Sequence, residues 1–324
     1  MRIQLDIFGG KVASRLADLE AGRITPAPPR DAATVMVLRS GTVAPSATGR
    51  DISPGGYGGS SPREMSLDVV SGTVAPSATG HVIQVLMLRR TAAMKFAPGA
   101  YVFPGGSVDP ADYGAEVGWH GPSPEEFGVR LGASAEVARA LVCAAVRETF
   151  EESAVLLAGS PGGDPASALA VPSGPSWDAD RMAVASGTLT LAELLARRGL
   201  VIRADLLVPW ARWITPEGEP RRFDARFFAA ALPDGQVAVG HEAEADRVAW
   251  LRPADAIDSA KAGEISLLPP TATTLNDFAS AVAAGGGLTD ILGAVREIEP
   301  IQPRLVLEDG RVWLVIPDGV DYPL

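Results

Sequence analysis

Cysteine is almost missing: Cys143 is the only one in 324 residues. No internal disulfide can form, which fits a reducing compartment, and a cytoplasmic protein is expected. Histidine is nearly as scarce. His81, His120 and His241 are too scattered to suggest a zinc site. No run of 18 apolar residues occurs, so no membrane span is expected. The opening Met1-Arg2-Ile3-Gln4-Leu5-Asp6 lacks the apolar stretch of a secretory signal. The closing Asp321-Tyr322-Pro323-Leu324 does not match a peroxisomal address. Basic residues are outnumbered 28 to 39, for a net charge of −11. That balance argues against nucleic acid as a partner. An anionic substrate would have to meet local arginines or a metal ion.

Apolar residues make up 47% of the chain, enough for a sizeable core. Val12–Glu20 is amphipathic, and Thr25–Arg30 is a Pro-rich connector. Ala33–Arg39 and Val82–Arg89 read as apolar strands. Between them Ser-Gly-Thr-Val-Ala-Pro-Ser-Ala-Thr-Gly occurs twice, at Ser40–Gly49 and Ser71–Gly80. Two copies do not make a solenoid. The Gly/Ser/Pro-rich composition cannot bury enough apolar surface to order itself, so residues 40–80 are expected to be a mobile insertion in a hairpin. Asp109–Ser134 is dense in Pro and Gly and reads as a loop, a lid or rim. Gly159–Pro175 reads as another loop, and Thr190-Leu191-Ala192-Glu193 as a capping box opening a helix through Arg198. Strands follow at Leu207–Pro216, Arg221–Phe228 and Val248–Leu251, then helices from Arg252 and over Ala272–Ala284. Leu305–Glu308 and Arg311–Ile316 flank an Asp-Gly turn and predict a terminal hairpin.

The stretch of greatest chemical interest is Arg147-Glu148-Thr149-Phe150-Glu151-Glu152. Ala, Leu, Arg and Glu dominate Ala135–Leu157, with no Pro or Gly, and predict one helix. Glu148, Glu151 and Glu152 then share or adjoin one face, while Val142, Val146 and Phe150 turn a spacing of four toward a core. Carboxylates crowded on one turn repel each other unless a cation offsets them. A solvated acidic face paired with arginine is the plainer alternative. Upstream, Phe103-Pro104-Gly105-Gly106 predicts a tight turn whose bare backbone can approach a ligand.

Taken together these residues resemble the Nudix box: Gly, five residues, Glu, seven residues, then Arg-Glu-apolar-x-Glu-Glu-x-Gly-apolar. Gly106, Arg147, Glu148, Glu151, Glu152 and Val155 fit. Asp112 stands in place of the first Glu, Thr149 in place of the aliphatic residue, and Ala154 in place of the second Gly. Residues 113–146 separate Asp112 from Arg147 where the compact motif has seven. Arg90, Gly99 and Phe103–Gly106 also resemble the signature that precedes the box in coenzyme A diphosphatases, with Thr91 and Lys95 as mild departures. The split box resembles the subgroup acting on acyl-CoA and CoA.

The resemblance implies an α/β fold in which a mixed β-sheet lies between helices (α/β/α). The family domain would span 31–275, with an N-terminal extension 1–30, an insertion 113–134 within the box and a C-terminal extension 276–324 carrying a helix and hairpin. It implies Mg²⁺ or Mn²⁺ held by Glu148, Glu151, Glu152 and the Gly105 carbonyl, with Arg147 orienting the carboxylates. Glu244, Glu242 or a glutamate of the box itself would be the general base, and Arg90, Lys95, Gly105, Gly106 and Arg222 would bind substrate. Arg221 and Arg226 are further phosphate candidates, each weighed against a solvated strand edge; Trp210 and Trp213 either stack an adenine or belong to the core. The substrate implied is CoA or acyl-CoA, cleaved to (acyl-)phosphopantetheine and adenosine 3′,5′-bisphosphate. ADP-ribose, NADH, oxidised nucleotides, or nucleotide sensing without turnover are the alternatives. A homodimer is left open.

Overall fold

The computed structural model describes residues 1–4, 9–41, 82–94, 97–114, 116–162, 169–241 and 243–324. The expected insertion at 40–80 falls almost wholly outside them, as do Lys95, His81 and Glu242. The stems of that hairpin are described. Arg30–Gly41 pairs antiparallel with Val82–Arg90, from Leu38↔Val85 to Gly41↔Val82.

These two strands are central to a mixed sheet. Phe223–Ala231 joins Arg30–Gly41 in parallel, and Val208–Ile214 joins Phe223–Ala231 antiparallel. Ala245–Leu251 runs antiparallel to Val82–Arg90, and the short Gly105–Ser107 strand runs antiparallel to Arg30–Gly41. Near-continuous Val, Leu, Met and Ala suit strands buried on both faces.

Alternation sorts these residues between two cores. Val35, Val37, Leu86, Phe228 and Ala230 face one side. That side is covered by α3 (Pro124–Leu131), α4 (Ala135–Ser153), α5 (Pro175–Ala185) and α6 (Leu191–Arg198). Met36, Leu38, Val85, Met87, Phe227 and Ala229 face the other side, under α7 (Pro253–Lys261) and α8 (Pro269–Ala283). The expected α/β/α layering is the observed one. The terminal hairpin, Arg304–Glu308 and Arg311–Val315, packs on α1 (Gly9–Glu20) through Val12, Leu16 and Val312. Asp309 and Gly310 both take positive φ, 50° and 74°, as its two-residue turn demands.

Two expectations need correction. Asp109–Ser134 is not simply loop. It holds α2 (Pro110–Tyr113) and α3, each with Pro in its first turn and a capping box, from Asp109 and from Ser123. Proline at the first helical position loses no hydrogen bond, so the prolines there start helices. Second, α4 stops at Ser153, short of Leu157. Ser134 caps its start, accepting from the Val137 amide at 3.2 Å. Ala154 ends it in the left-handed region, φ 59° and ψ 5°, a conformation costing a residue with a Cβ roughly 1–2 kcal/mol. The glycine that the box pattern puts at this place therefore has a conformational reason. Ala154→Gly should raise the unfolding free energy by about 1 kcal/mol, measured by chemical denaturation, with the fold unchanged by circular dichroism.

Candidate functional site

Helix α4 and the glycine turn meet. The Gly105 amide donates to Glu152 Oε2 at 3.0 Å. A methyl on Gly106 would land on the Glu148 carboxylate, 2.6 Å from Oε2, and one on Gly105 would lie 2.5 Å from the Ala33 carbonyl oxygen. Bare backbone is what lets strand and helix approach so closely. Val142, Val146 and Phe150 are buried as their spacing predicts, which turns Glu148 and Glu152 outward from that core toward the turn.

Arg147 organises the cluster. Its Nε and Nη2 grip Asp112 Oδ1 and Oδ2 at 3.1 and 2.9 Å. Nη2 also donates to the Ser107 carbonyl at 3.0 Å, and Nη1 to Glu148 and Glu151 at 2.8 and 3.1 Å. Burial works against its charge, but the Asp112 bonds and the attraction of Glu148 and Glu151 outweigh it and raise its pKa. Asp112 is itself buried and caps α2 by accepting from the Asp109 amide at 2.8 Å. Asp112, thirty-five positions before Arg147 in the sequence, is thus brought into direct contact with it.

The carboxylates are under electrostatic stress. Burial, with Glu151 nearby, pushes Glu148 up to about 7 against the opposing pull of Arg147. Glu151 is raised by burial. Glu152 is raised well above the carboxylate range by burial and by the charges of Glu148 and Glu244. Glu244, exposed, lies close enough to Glu152 to raise it. Its own carbonyl accepts from the Thr91 amide at 3.0 Å, which ties Glu244 to the end of the Arg90 strand. Hard oxygen donors short of positive charge suit Mg²⁺ or Mn²⁺. Among the described residues no three such groups are already closed around an ion position; Glu148 and Glu151 instead bond Arg147.

Arg90 lies at the strand end beside Ala245, on the face that also carries Leu86. Arg222 is not brought to the cluster as a free cation. It is buried, donating to the Thr215 and Ala27 carbonyls at 2.9 and 2.8 Å, because it closes the entry to its strand. Arg226 is likewise buried, paired with Asp31 and Asp224. Trp210 and Trp213 belong to the core, Trp210 stacking on Phe278 with centroids 4.3 Å apart. The Cys143 thiol is buried and pushed up to about 12, so it offers no thiolate. Sequence reasoning missed Arg181. This buried α5 residue donates to the Glu151 carbonyl at 2.8 Å and lies close enough to Glu152 to attract it. Nothing local marks it, since it is the packing of α5 on α4 that brings it there.

A protein of Homo sapiens named acyl-coenzyme A diphosphatase NUDT19 is 30% identical over 265 residues, 72% of this chain and 70% of the relative. The chain belongs to the Nudix hydrolases. The NUDT19 Nudix domain model matches residues 132–277, which include the Nudix helix α4. A Gallus gallus protein of the same name is 30% identical over 226 residues, 58% of each chain. The chain spans between about half and seven-tenths of the length of such relatives. The crystal structure of a Nudix hydrolase from Alicyclobacillus acidocaldarius shares the fold, with a TM-score of 0.52 and 24% identity, over 80% of this chain and 97% of that one. The family resemblance read from the sequence therefore holds at the level of the Nudix hydrolases. Among the described residues no helix is long and apolar enough to cross a membrane.

The elevated carboxylates fix how stability must respond to pH. Below about 4.5 Glu148 holds its proton folded or unfolded. Between 4.5 and about 7 the unfolded chain releases that proton first, so stability falls as pH rises, and above about 7 the whole cost is felt. Metal-free protein should therefore lose on the order of a few kcal/mol between pH 5 and pH 8. Millimolar Mn²⁺ should restore most of it at pH 8 and little at pH 5, read as the melting temperature. A melting temperature indifferent to Mn²⁺ at both pH values would separate these glutamates from metal binding.

Proposed function

We propose that this protein is a metal-dependent diphosphatase that hydrolyses the diphosphate of CoA or acyl-CoA. The products are phosphopantetheine, free or acylated, and adenosine 3′,5′-bisphosphate. The observation that carries the hydrolase reading is the meeting of Glu148 and Glu152 with the Gly105–Gly106 turn. The CoA reading rests on the Arg90–Gly106 signature and on the relatives named acyl-coenzyme A diphosphatase.

In this reading Glu148, Glu151 and Glu152, with the Gly105 carbonyl, hold Mg²⁺ or Mn²⁺. The ion supplies positive charge against the diphosphate oxygens. The chain's own residues do the rest. Asp112 and the Ser107 carbonyl fix Arg147, and Arg147 fixes Glu148 and Glu151. Arg90, and Lys95 from outside the described residues, supply charge for phosphate in a chain that is otherwise acidic. Arg222 has no part in it, being committed to backbone carbonyls. Hydrolysis adds water across the anhydride: the water oxygen bonds to one phosphorus, and the bridging oxygen leaves with the other product. Glu244, exposed and near Glu152, takes the water's proton.

The test is a panel of CoA, acetyl-CoA, ADP-ribose, NADH and 8-oxo-dGTP with Mg²⁺ or Mn²⁺, products resolved by chromatography. Preference for CoA or its thioester is expected. Preference for ADP-ribose or NADH would move the substrate assignment, and tight binding without turnover would favour a sensor. Glu152→Gln and Glu151→Gln should each lower kcat on the order of a hundredfold or more, with melting temperature retained. Unchanged rates would remove both residues from the mechanism.

A further inference from the structure

A cavity of about 230 Å³ opens beside the carboxylate cluster, between α2, α4, α5 and α6. Its lining has two chemistries. One part is apolar, with Val184 and Leu189 among its residues. The other carries Asp109, Asp112 and Glu151 against the single guanidinium of Arg147. Even with Glu151 given to a metal ion, Asp109 and Asp112 outnumber the one guanidinium, which disfavours the nucleotide end of a substrate here. The same carboxylates accept hydrogen bonds from amide N–H groups. Arg147 and Glu151 belong both to this lining and to the cluster that includes Glu148. A substrate whose diphosphate meets the cluster therefore has this cavity within reach.

We propose that this cavity receives the uncharged, amide-bearing arm of the substrate and sets which acyl group is accepted at its end. The inference rests on the CoA diphosphatase reading and deepens it. The amides of the arm lie against the acidic part, and the thioester and acyl carbons lie against Val184 and Leu189. Cavities of about 150 Å³ already hold a benzene-sized group, so 230 Å³ holds the thioester end of the arm with a short acyl chain, not the whole arm. Half of the lining, from Val184 to Ala192, comes from α5, α6 and the segment joining them, which form no part of the catalytic motif, so acyl preference is separable from catalysis.

Ala192, half-buried on α6, lines the cavity at the edge of the core it packs against. The experiment compares wild type and Ala192→Phe on CoA, butanoyl-CoA and octanoyl-CoA, reading kcat and KM for each. Filling the cavity should lower kcat/KM for the acyl substrates about tenfold or more relative to CoA, through KM, the discrimination that steric loss in an apolar pocket gives. Ala192→Leu should give a smaller loss in the same order. If Ala192→Phe does not fold, Ala185→Phe, at an exposed position on the same cavity, replaces it. Acyl-to-CoA ratios that stay within about twofold of wild type overturn the inference. A wild type that hydrolyses neither CoA nor its thioesters overturns instead the reading beneath it, and the two failures are told apart by the wild-type assays alone.

Discussion

Like charges placed together in a poorly hydrated site must be offset or neutralised, and this constraint governs the architecture around α4. Arg147 is the local answer. One guanidinium bonds Asp112, Ser107, Glu148 and Glu151, joining α2, the Gly105–Ser107 strand and two turns of α4. Its offset is incomplete, because Glu152 lies beyond its bonds and has instead Glu148 and Glu244 for neighbours. The charge that remains uncompensated is what the proposed metal ion would offset. A core engineered for stability alone would have placed apolar side chains there.

The sheet makes the arrangement reproducible. With Val35, Val37 and Leu86 on one side and Met36, Val85 and Met87 on the other, a slip of one residue would exchange the two cores, so register is strongly specified. The Gly105–Ser107 strand inherits that register through Ala33↔Gly106 and Thr34↔Gly105. The position of the glycine turn relative to Glu148 and Glu152 is therefore fixed by strand pairing, not by the turn itself.

Much of this was legible in the sequence, and the failures share a physical pattern. Long apolar strands, the Thr190 capping box, the Asp309-Gly310 hairpin and α4 depend on neighbours within a few residues, and each stands where expected, within a few residues at its ends. Helices α2, α3 and α5 are hard to read locally because each opens on a proline, Pro110, Pro124 or Pro175, which also suits a loop, although proline is at ease in a helix's first turn. Arg222 and Arg226 went the wrong way for a different reason. Whether an arginine faces solvent, a phosphate or a backbone carbonyl depends on partners such as Ala27 and Asp31, nearly two hundred residues away. Arg181 belongs with them, since its worth comes from where α5 packs.

The pairing of Gly41 with Val82 brings two chain positions side by side at the far end of the Arg30 strand from the Asp31–Thr34 segment that holds the glycine turn. Whatever length of polypeptide joins those two residues, the ladder on either side keeps its partners, and closure entropy grows only logarithmically with that length. A tandem copying of ten residues there costs the fold little and leaves the catalytic geometry untouched. The verbatim repeat at Ser40–Gly49 and Ser71–Gly80 is the kind of genetic accident that such a tolerant junction lets survive.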